Sequence, residues 1–451
     1  VSRPRMDPRS DRWPENATRP PAGSGPRDHG KDPLDVIGIG FGPSNLALAI
    51  ALREHGGGVP GREPTSAFAE QQQTFGWHRG MLLDGATMQV SFLKDLATLR
   101  NPTSAFSFLN YLHARGRLVD FINHKTLFPT RVEFHDYLTW AAERFTAQVA
   151  YGTRVTDLRP VKGDGGDVVA VEVIADGELL GRARNIVLGL GLRPYLPEGV
   201  HASERVWHNG DLLTRLRTLP VLTHRRFAVV GAGQSAAEVV DHLHRAYPDA
   251  EVCAVFSRYG YSPADDSAFA NRIFDPSAVD DFYTAPDEVK ASLLSYHGNT
   301  NYSVVDIDLI DELYRRSYQE NVAGAQRLRI LNTSRVEGFD RVPDGVRVRV
   351  DRLTTGERVA LECDALIFAT GYRPPDPLDV LGELTAFCHI DERGLPKVGR
   401  DYRIVTDPAL KCGIYLQGGT EHTHGLSSSL LSNAAVRAGE IVRSILAHRA
   451  G

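Results

Sequence analysis

Two glycine-rich turns carry the chemistry most legible in this chain. The first reads Leu34-Asp35-Val36-Ile37-Gly38-Ile39-Gly40-Phe41-Gly42-Pro43-Ser44-Asn45 and continues as Leu46-Ala47-Leu48-Ala49-Ile50-Ala51-Leu52. An apolar strand runs into a turn and then a helix, whose free N–H groups and dipole favour an anion such as a pyrophosphate. In this spacing Gly38 permits the tight turn and Gly40 leaves room for the pyrophosphate. Gly42 precedes Pro43, which replaces the third glycine because a first helical turn loses no hydrogen bond to proline. The next strand, Thr65 to Glu70, ends in an acid placed to hold ribose hydroxyls, and the glycine-rich loop from Gly56 to Gly61 accounts for the long gap before it. A lone glycine motif is a weak signal; strand, turn, helix, strand and acid in that order are a strong one.

The pattern recurs at Arg226-Phe227-Ala228-Val229-Val230-Gly231-Ala232-Gly233-Gln234-Ser235, with a helix to about His244 and a strand Glu251 to Phe256. This strand ends in Ser257-Arg258 instead of an acid. A hydroxyl and a guanidinium accept a 2′-phosphate that a carboxylate would repel, so the second site is expected to take NADPH rather than NADH. Two dinucleotide sites in one chain point to a flavin enzyme, with FAD held at one and the reductant delivered from the other. Two further apolar strands, Asn185 to Pro194 and Asp364 to Pro374, each end in glycine and then proline. They flank the second unit and are read as the crossings between domains.

These turns need elements to position them, and the chain is long enough to supply those elements. Its 451 residues suit two or three packed domains. The net charge of −5 gives no reason to expect nucleic acid or an anionic membrane as partner. No run approaches the roughly 18 apolar residues of a spanning helix, so the chain reads as a cytoplasmic enzyme. Cys253, Cys363, Cys388 and Cys412 are widely spaced, which removes the paired dithiol of a disulfide reductase. His422 and His424 have no third ligand beside them, and no metal is expected. The first thirty residues, rich in Pro, Arg, Asp and Gly, read as a disordered leader, with Met6 as the expected start.

Beyond the turns, the chain from Asp35 to Ala447 resembles the microbial N-hydroxylating monooxygenases, specifically the L-ornithine N5-monooxygenases. The resemblance rests on Pro43 closing the first motif. It rests also on Asp364, Phe368, Ala369-Thr370-Gly371-Tyr372 and Pro377 at the fixed positions of a C-terminal fingerprint. More specific are the runs Met88 to Pro102, Phe269 to Phe274, Asn299 to Asp306 and Gly418 to Ser432. The resemblance implies that Lys94 pairs with a substrate carboxylate, that Asn271 and Asn301 hold the amino-acid head group, and that Ser427 and Ser428 lie where the amine meets the flavin. It also implies Trp77, His78, Met88, Gln89 and Leu426 beside FAD, and Tyr302, Thr370, Gly371 and Tyr372 beside NADPH. A lysine suits a carboxylate as a point cation, and an amide can serve ammonium and carboxylate together. Read without the resemblance, Asn271 and Asn301 would be turn formers.

The implied reaction is N-hydroxylation of the ornithine side chain with O2 through a C4a-hydroperoxyflavin, feeding hydroxamate siderophore or related biosynthesis. The implied fold is α/β, with two Rossmann-like domains and a smaller helical substrate-binding part. The expected FAD domain is 31–205 with 360–451, and the expected NADPH domain is 206–360, of which 262–325 closes the amino-acid site. No acid or base is assigned. Lysine, one methylene longer, is the nearest rival substrate, since a pocket separates a methylene by only about 1–3 kcal/mol. A flavin monooxygenase acting on sulfur or beside a ketone would share both turns, and Trp207-His208-Asn209 fits that group; the Met88 and Asn299 runs argue against it. A non-catalytic NADPH-binding protein would lack flavin colour. Homo-oligomers are common in the family, so self-association is a further expectation.

Overall fold

The computed structural model describes residues 32–56, 63–219, 222–300 and 302–449. The leader at 1–30 and Asn301 lie outside the described residues.

Two parallel five-stranded sheets organise the chain. The first begins with β1 (Val36–Ile39), followed by helix α1 (Pro43–His55), β2 (Ser66–Glu70), helix α2 (Arg131–Ala142) and β3 (Val149–Tyr151). An antiparallel meander, β4 (Val155–Lys162), β5 (Val168–Ala175) and β6 (Glu178–Ala183), then leads to β7 (Asn185–Leu188). After the short β8 (Arg193–Pro194) the chain crosses to β9 (Val206–His208) in the second sheet. That sheet repeats the plan with β10 (Arg226–Val230), helix α3 (Gln234–Ala246), β11 (Glu251–Val255), helix α4 (Ile307–Ala323) and β12 (Leu328–Leu331). A second meander, β13 (Ser334–Val342), β14 (Gly345–Arg352) and β15 (Arg358–Cys363), precedes β16 (Ala365–Phe368) and the short β17 (Tyr372–Arg373). Finally β18 (Gly413–Leu416) rejoins the first sheet and helix α5 (Ala434–Arg449) ends the described chain.

The sheet orders are β18-β7-β1-β2-β3 and β12-β11-β10-β16-β9. Each unit therefore has the same four strands; the fifth of the first sheet, β18, comes from beyond the second crossing, and the fifth of the second sheet, β9, directly follows the first. The two crossings pair with each other: β8 and β17 form an antiparallel ribbon with Tyr372 opposite Pro194 and Arg373 opposite Arg193. This explains the like form of the two glycine-proline exits. Because β16 pairs with β10, the second unit runs on to Phe368. The expected boundary at 360 is corrected to the ribbon, since a strand belongs with the sheet that satisfies its backbone.

Local sequence accounts for the layers. The parallel strands are nearly continuous apolar runs because both faces are covered, one by helices and the other by the antiparallel meander of the same unit. Helix α1 is buried from Asn45 to Leu52 and packs against α5. Helix α3 instead buries one stripe, Ala236, Ala237, Val239, Val240 and Leu243, and turns Arg245 outward. The stretch 262–325 is mainly helical, with a 3-10 turn Ala270–Phe274 and helices Ala278–Thr284, Asp287–His297 and α4. Between the units, Arg131 of α2 donates to both oxygens of Glu238 of α3 at 2.7 and 2.9 Å. Both side chains are largely buried, and truncating one would leave the other charge uncompensated.

Candidate active site

The two glycine turns are equivalent in three dimensions. Gly40 and Gly231 each follow the central strand of their sheet with positive φ, +82° and +137°. A Cβ on either would lie 2.3 Å from a carbonyl oxygen of the neighbouring strand exit, Gly189 in one case and Ala369 in the other. Gly42 and Gly233 are both N-caps with extended backbone, and Pro43 and Gln234 open the helices. This register corrects one expectation. Gly38 lies inside β1 and makes no turn; it is small because the Phe68 ring would stand 2.4 Å from a Cβ there. The third motif position is consequently Asn45 rather than Pro43, with Ala236 as its counterpart.

Asn45 is fully buried, and its Nδ2 donates to the Gly40 carbonyl at 2.7 Å, with longer approaches to Ile39 and Val187. Sequence reasoning passed over it; the signal available was a polar residue heading an apolar helix. Glu70 ends β2 as expected, but its carboxylate accepts from the backbone N–H groups of Phe41 at 2.7 Å and Gln72 at 2.8 Å. It thus holds the glycine turn itself, with lone pairs left for ribose hydroxyls. Trp77 packs beside Phe134 of α2, and His78 stands between Trp77 and Tyr372, with ring centroids 4.7 and 5.8 Å away. Met88 is buried, and Leu426 is buried in the turn that also carries Ser427 and Ser428.

Around the second turn, the segment Tyr302 to Asp306 lies against the glycine loop. A Cβ on Gly233 would come within 3.3 Å of Ser303 Cα. Arg258, exposed at the end of β11, donates to the Ser303 carbonyl at 2.7 Å, and Ser257 beside it is also exposed. Gln234 accepts the Asp306 N–H at 2.8 Å, and Gln89 donates to the Asp306 carboxylate at 2.7 Å. Burial raises the Asp306 carboxyl above its usual range, and the Gln89 hydrogen bond opposes that shift. Gln89, expected beside a cofactor ring, is therefore tied through Asp306 to Gln234 at the start of the second glycine helix. The motif that contains Asp306 carries no sign of this role, because the partners of Asp306 lie on other elements.

The ribbon closes the space between the units. Thr370 donates to the Tyr195 carbonyl, and Gly371 O accepts from Nε2 of His208 at 2.9 Å. Since His208 Nδ1 accepts from the Gly210 N–H, the ring is held as one neutral tautomer; burial lowers its pKa. Tyr372 lies edge-on to His208 at 4.8 Å, and burial pushes its hydroxyl up to about 12. His208 is thus a bracket of the crossing, which gives the Trp207-His208-Asn209 segment a structural role.

On the substrate side, the 3-10 turn bearing Asn271 packs against the Leu426–Ser429 turn, and Asn433 donates to the Phe274 carbonyl at 3.1 Å. Asn271 donates to the Asp266 carbonyl at 2.7 Å, so it does close a local turn as its residue type alone suggested. Tyr302 donates to Glu421 at 2.8 Å, linking the second unit to the segment that leads to Ser427 and Ser428. Both serines are buried, and Ser428 Oγ has no hydrogen-bond partner among the described residues. Lys94 is half-buried, and no ion pair for it is found among the described residues.

These features fit a flavin dinucleotide. The Gly40 cradle has no room for a side chain, and buried Ser428 Oγ, Thr420 Oγ1 and Asn45 Oδ1 have no hydrogen-bond partner among the described residues. A narrow cleft lined by Leu188, Gly191, Pro374, Gln417, Gly418 and Gly419 opens at the carboxyl ends of β7 and β18. All four cysteines are free, and burial pushes Cys253 and Cys412 up to about 12. His424 stacks on Tyr402 at 4.1 Å and contacts the Arg400 carbonyl, while His422 contacts that of Pro396. Among the described residues no group of His, Cys, Asp and Glu could hold a metal ion, and no helix is long and apolar enough to cross a membrane.

Comparison with known proteins agrees with this geometry. Residues 32–374 match the family model described as L-lysine 6-monooxygenase/L-ornithine 5-monooxygenase. The L-ornithine N(5)-monooxygenase of Burkholderia cepacia is 42% identical, covering 87% of this chain and 90% of its own. That of Pseudomonas aeruginosa is 40% identical, covering 92% and 94%. The solved ornithine N-hydroxylase of Kutzneria sp. 744, with reduced FAD, NADP+ and L-ornithine, superposes with a TM-score of 0.87 at 52% identity, covering 93% of this chain and 100% of that one. By its two matched glycine turns, its paired crossings and these relatives, the chain belongs to the L-lysine 6-monooxygenase/L-ornithine 5-monooxygenase family.

Proposed function

We propose that this protein is an FAD- and NADPH-dependent L-ornithine N5-monooxygenase that makes N5-hydroxyornithine from ornithine and O2. The observation that carries the reading is the equivalence of the Gly40 and Gly231 turns, one on each parallel sheet. A resident redox cofactor and a mobile hydride donor require two such sites in one chain. We assign FAD to Gly40, Gly42, Pro43 and Glu70, with Trp77, His78, Met88, Gln89 and Leu426 along it. Gly38 shapes β1 beneath that site. NADPH is assigned to Gly231, Gly233, Gln234 and Ser235, with Ser257 and Arg258 toward its 2′-phosphate and Tyr302, Thr370, Gly371 and Tyr372 nearby.

When bound and reduced, the flavin supplies the activation of O2 and the oxygen atom for the amine. The protein binds, orients and dries the reactants. Lys94 receives the substrate carboxylate, with Asn271 and Asn301 on the head group. The buried turn of Ser427 and Ser428 excludes water where the amine arrives. A free alkylammonium has a pKa of about 10, and a desolvated pocket favours the neutral amine that can react. Ornithine is preferred to lysine because the relatives at 40–42% identity are ornithine enzymes and the Kutzneria structure contains L-ornithine. The product fits hydroxamate siderophore or related biosynthesis in the cytoplasm. Self-association is supported by Ile307, Tyr314, Tyr318 and Val322, all exposed on α4, and light scattering tests it.

The deciding assay offers ornithine and lysine separately to the FAD-loaded protein with NADPH and measures hydroxylamine and peroxide together. Coupled hydroxylamine from ornithine, with little from lysine, is expected. Peroxide alone from both would overturn the amino-acid assignment.

A further inference from the structure

A buried guanidinium lies behind the first glycine turn, and no part of the reading above uses it. Arg437, in the first turns of α5, is 2% exposed. Its Nε donates to Gln417 Oε1 at 2.8 Å, its Nη1 to the Ser428 carbonyl, and its Nη2 to Ser44 Oγ at 3.3 Å. Gln417 in turn donates to the Ser44 carbonyl at 3.1 Å. Every one of these partners is neutral, and no ion pair for Arg437 is found among the described residues. The acid on its own helix, Glu440, is taken by Arg400 at 3.0 Å through both oxygens.

This arrangement is costly in two ways. A charge removed from water without a counter-charge is disfavoured, and a cation near a helix N-terminus opposes the helix dipole. Both costs fall when an anion approaches, and Ser44 stands in the first turn of α1, the end of the helix that favours an anion. Arg437 also reaches three otherwise separate pieces: the α1 turn, the end of β18 and the turn carrying Ser427 and Ser428. Ser428 gives its carbonyl to the guanidinium and keeps its hydroxyl unpaired.

We propose that Arg437 is a positioning residue that couples occupancy of the flavin site to the order of the Leu426–Ser429 turn. The proposal rests on the reading of the Gly40–Asn45 turn as the flavin site. An FAD diphosphate at α1 completes the charge of the guanidinium; the guanidinium, held in place, fixes the Ser428 backbone at the substrate side. Lysine keeps the charge but cannot fork to three acceptors, and glutamate at 417 supplies an internal counter-charge in place of the ligand.

Hydrogen exchange of the holoenzyme and of the same protein stripped of FAD tests this, with FAD affinity read from flavin fluorescence. In the unaltered protein FAD is expected to slow exchange at both 42–47 and 426–433. In Arg437→Lys, protection by FAD at 42–47 persists, while protection at 426–433 falls at least about fivefold and ornithine KM rises more than kcat falls. In Gln417→Glu the FAD-free protein melts higher and FAD binds about tenfold more weakly, because the charge is already paired. Unchanged FAD-dependent protection of 426–433 in Arg437→Lys, or unchanged FAD affinity in Gln417→Glu, overturns the proposal. If FAD fails to protect 42–47 in the unaltered protein, the flavin assignment itself fails and the proposal falls with it.

Discussion

Replacing one glycine in each turn separates the two cofactor sites. In Gly40→Ala and Gly231→Ala the new methyl would stand 2.3 Å from a backbone carbonyl, about 1 Å short of ordinary contact at 3.4 Å. That carbonyl belongs to a buried strand exit, so it cannot rotate aside as a flexible side chain would. Alanine would also have to hold φ near +82° or +137°, where L-residues are strained by about 1–3 kcal/mol. The protein relieves both by moving the turn, and the amides that should face the diphosphate move with it. If that strain falls on the ligand-bound form, affinity drops about 5- to 150-fold. Gly40→Ala should therefore be purified with little flavin absorbance near its visible maximum, yet regain colour at high FAD. Gly231→Ala should keep its flavin and show the loss in NADPH KM, measured by anaerobic flavin reduction so that uncoupled oxidation does not intrude. Reasoning from the matched turns would be refuted by the reverse pattern, colourless Gly231→Ala with normal NADPH reduction of Gly40→Ala. Equal loss of both cofactors in each variant, with normal melting, would refute it as well.

Three other outcomes are expected. Lys94→Ala should raise ornithine KM by about 10- to 150-fold, the worth of a charged hydrogen bond, with FAD content and NADPH reduction unchanged; an unaltered KM in the hydroxylamine assay would remove Lys94 from the carboxylate site. Arg258→Ala should weaken NADPH by roughly tenfold and leave NADH almost untouched, and equal weakening of both would mean that its bond to the Ser303 carbonyl, not the 2′-phosphate, is what matters. His424 is buried, and desolvation holds its pKa down to about 4, below the usual 6.5. The unfolded chain then binds more protons between those values, so this contribution is full above pH 6.5 and lost as pH falls toward 4; its ceiling is about 3 kcal/mol. His424→Gln should flatten the pH dependence of melting in that window, and an unchanged slope would contradict the assignment.

Much of the fold was legible because its signals are local. Continuous apolar runs followed by glycine and an apolar helix specify a parallel strand entering a buried helix, whichever sheet receives it. The repetition of that unit, and the two matching glycine-proline exits, likewise needed no tertiary information. The register of the first motif was less legible: three alternating glycines allow two alignments, and only the pairing of β1 with β2 and β7 puts Gly38 inside the strand. The boundary at 360 failed for a similar reason, since β16 follows a meander and its sheet membership depends on which backbone it meets.

The sequence by itself determined that two dinucleotide turns exist, that the second lacks the acid that would reject a 2′-phosphate, and which short runs tie the chain to its family. Each of those properties is carried by neighbouring residues along the chain. Only the tertiary structure decided that the crossings pair as a ribbon, that Gln89 and Gln234 meet at Asp306, and that Arg437 joins Ser44, Gln417 and Ser428. Those contacts join residues far apart in sequence. A lone arginine or glutamine in a list of residues carries no sign of what will surround it; burial and partners give it a role, and both exist only once the sheets and helices have packed.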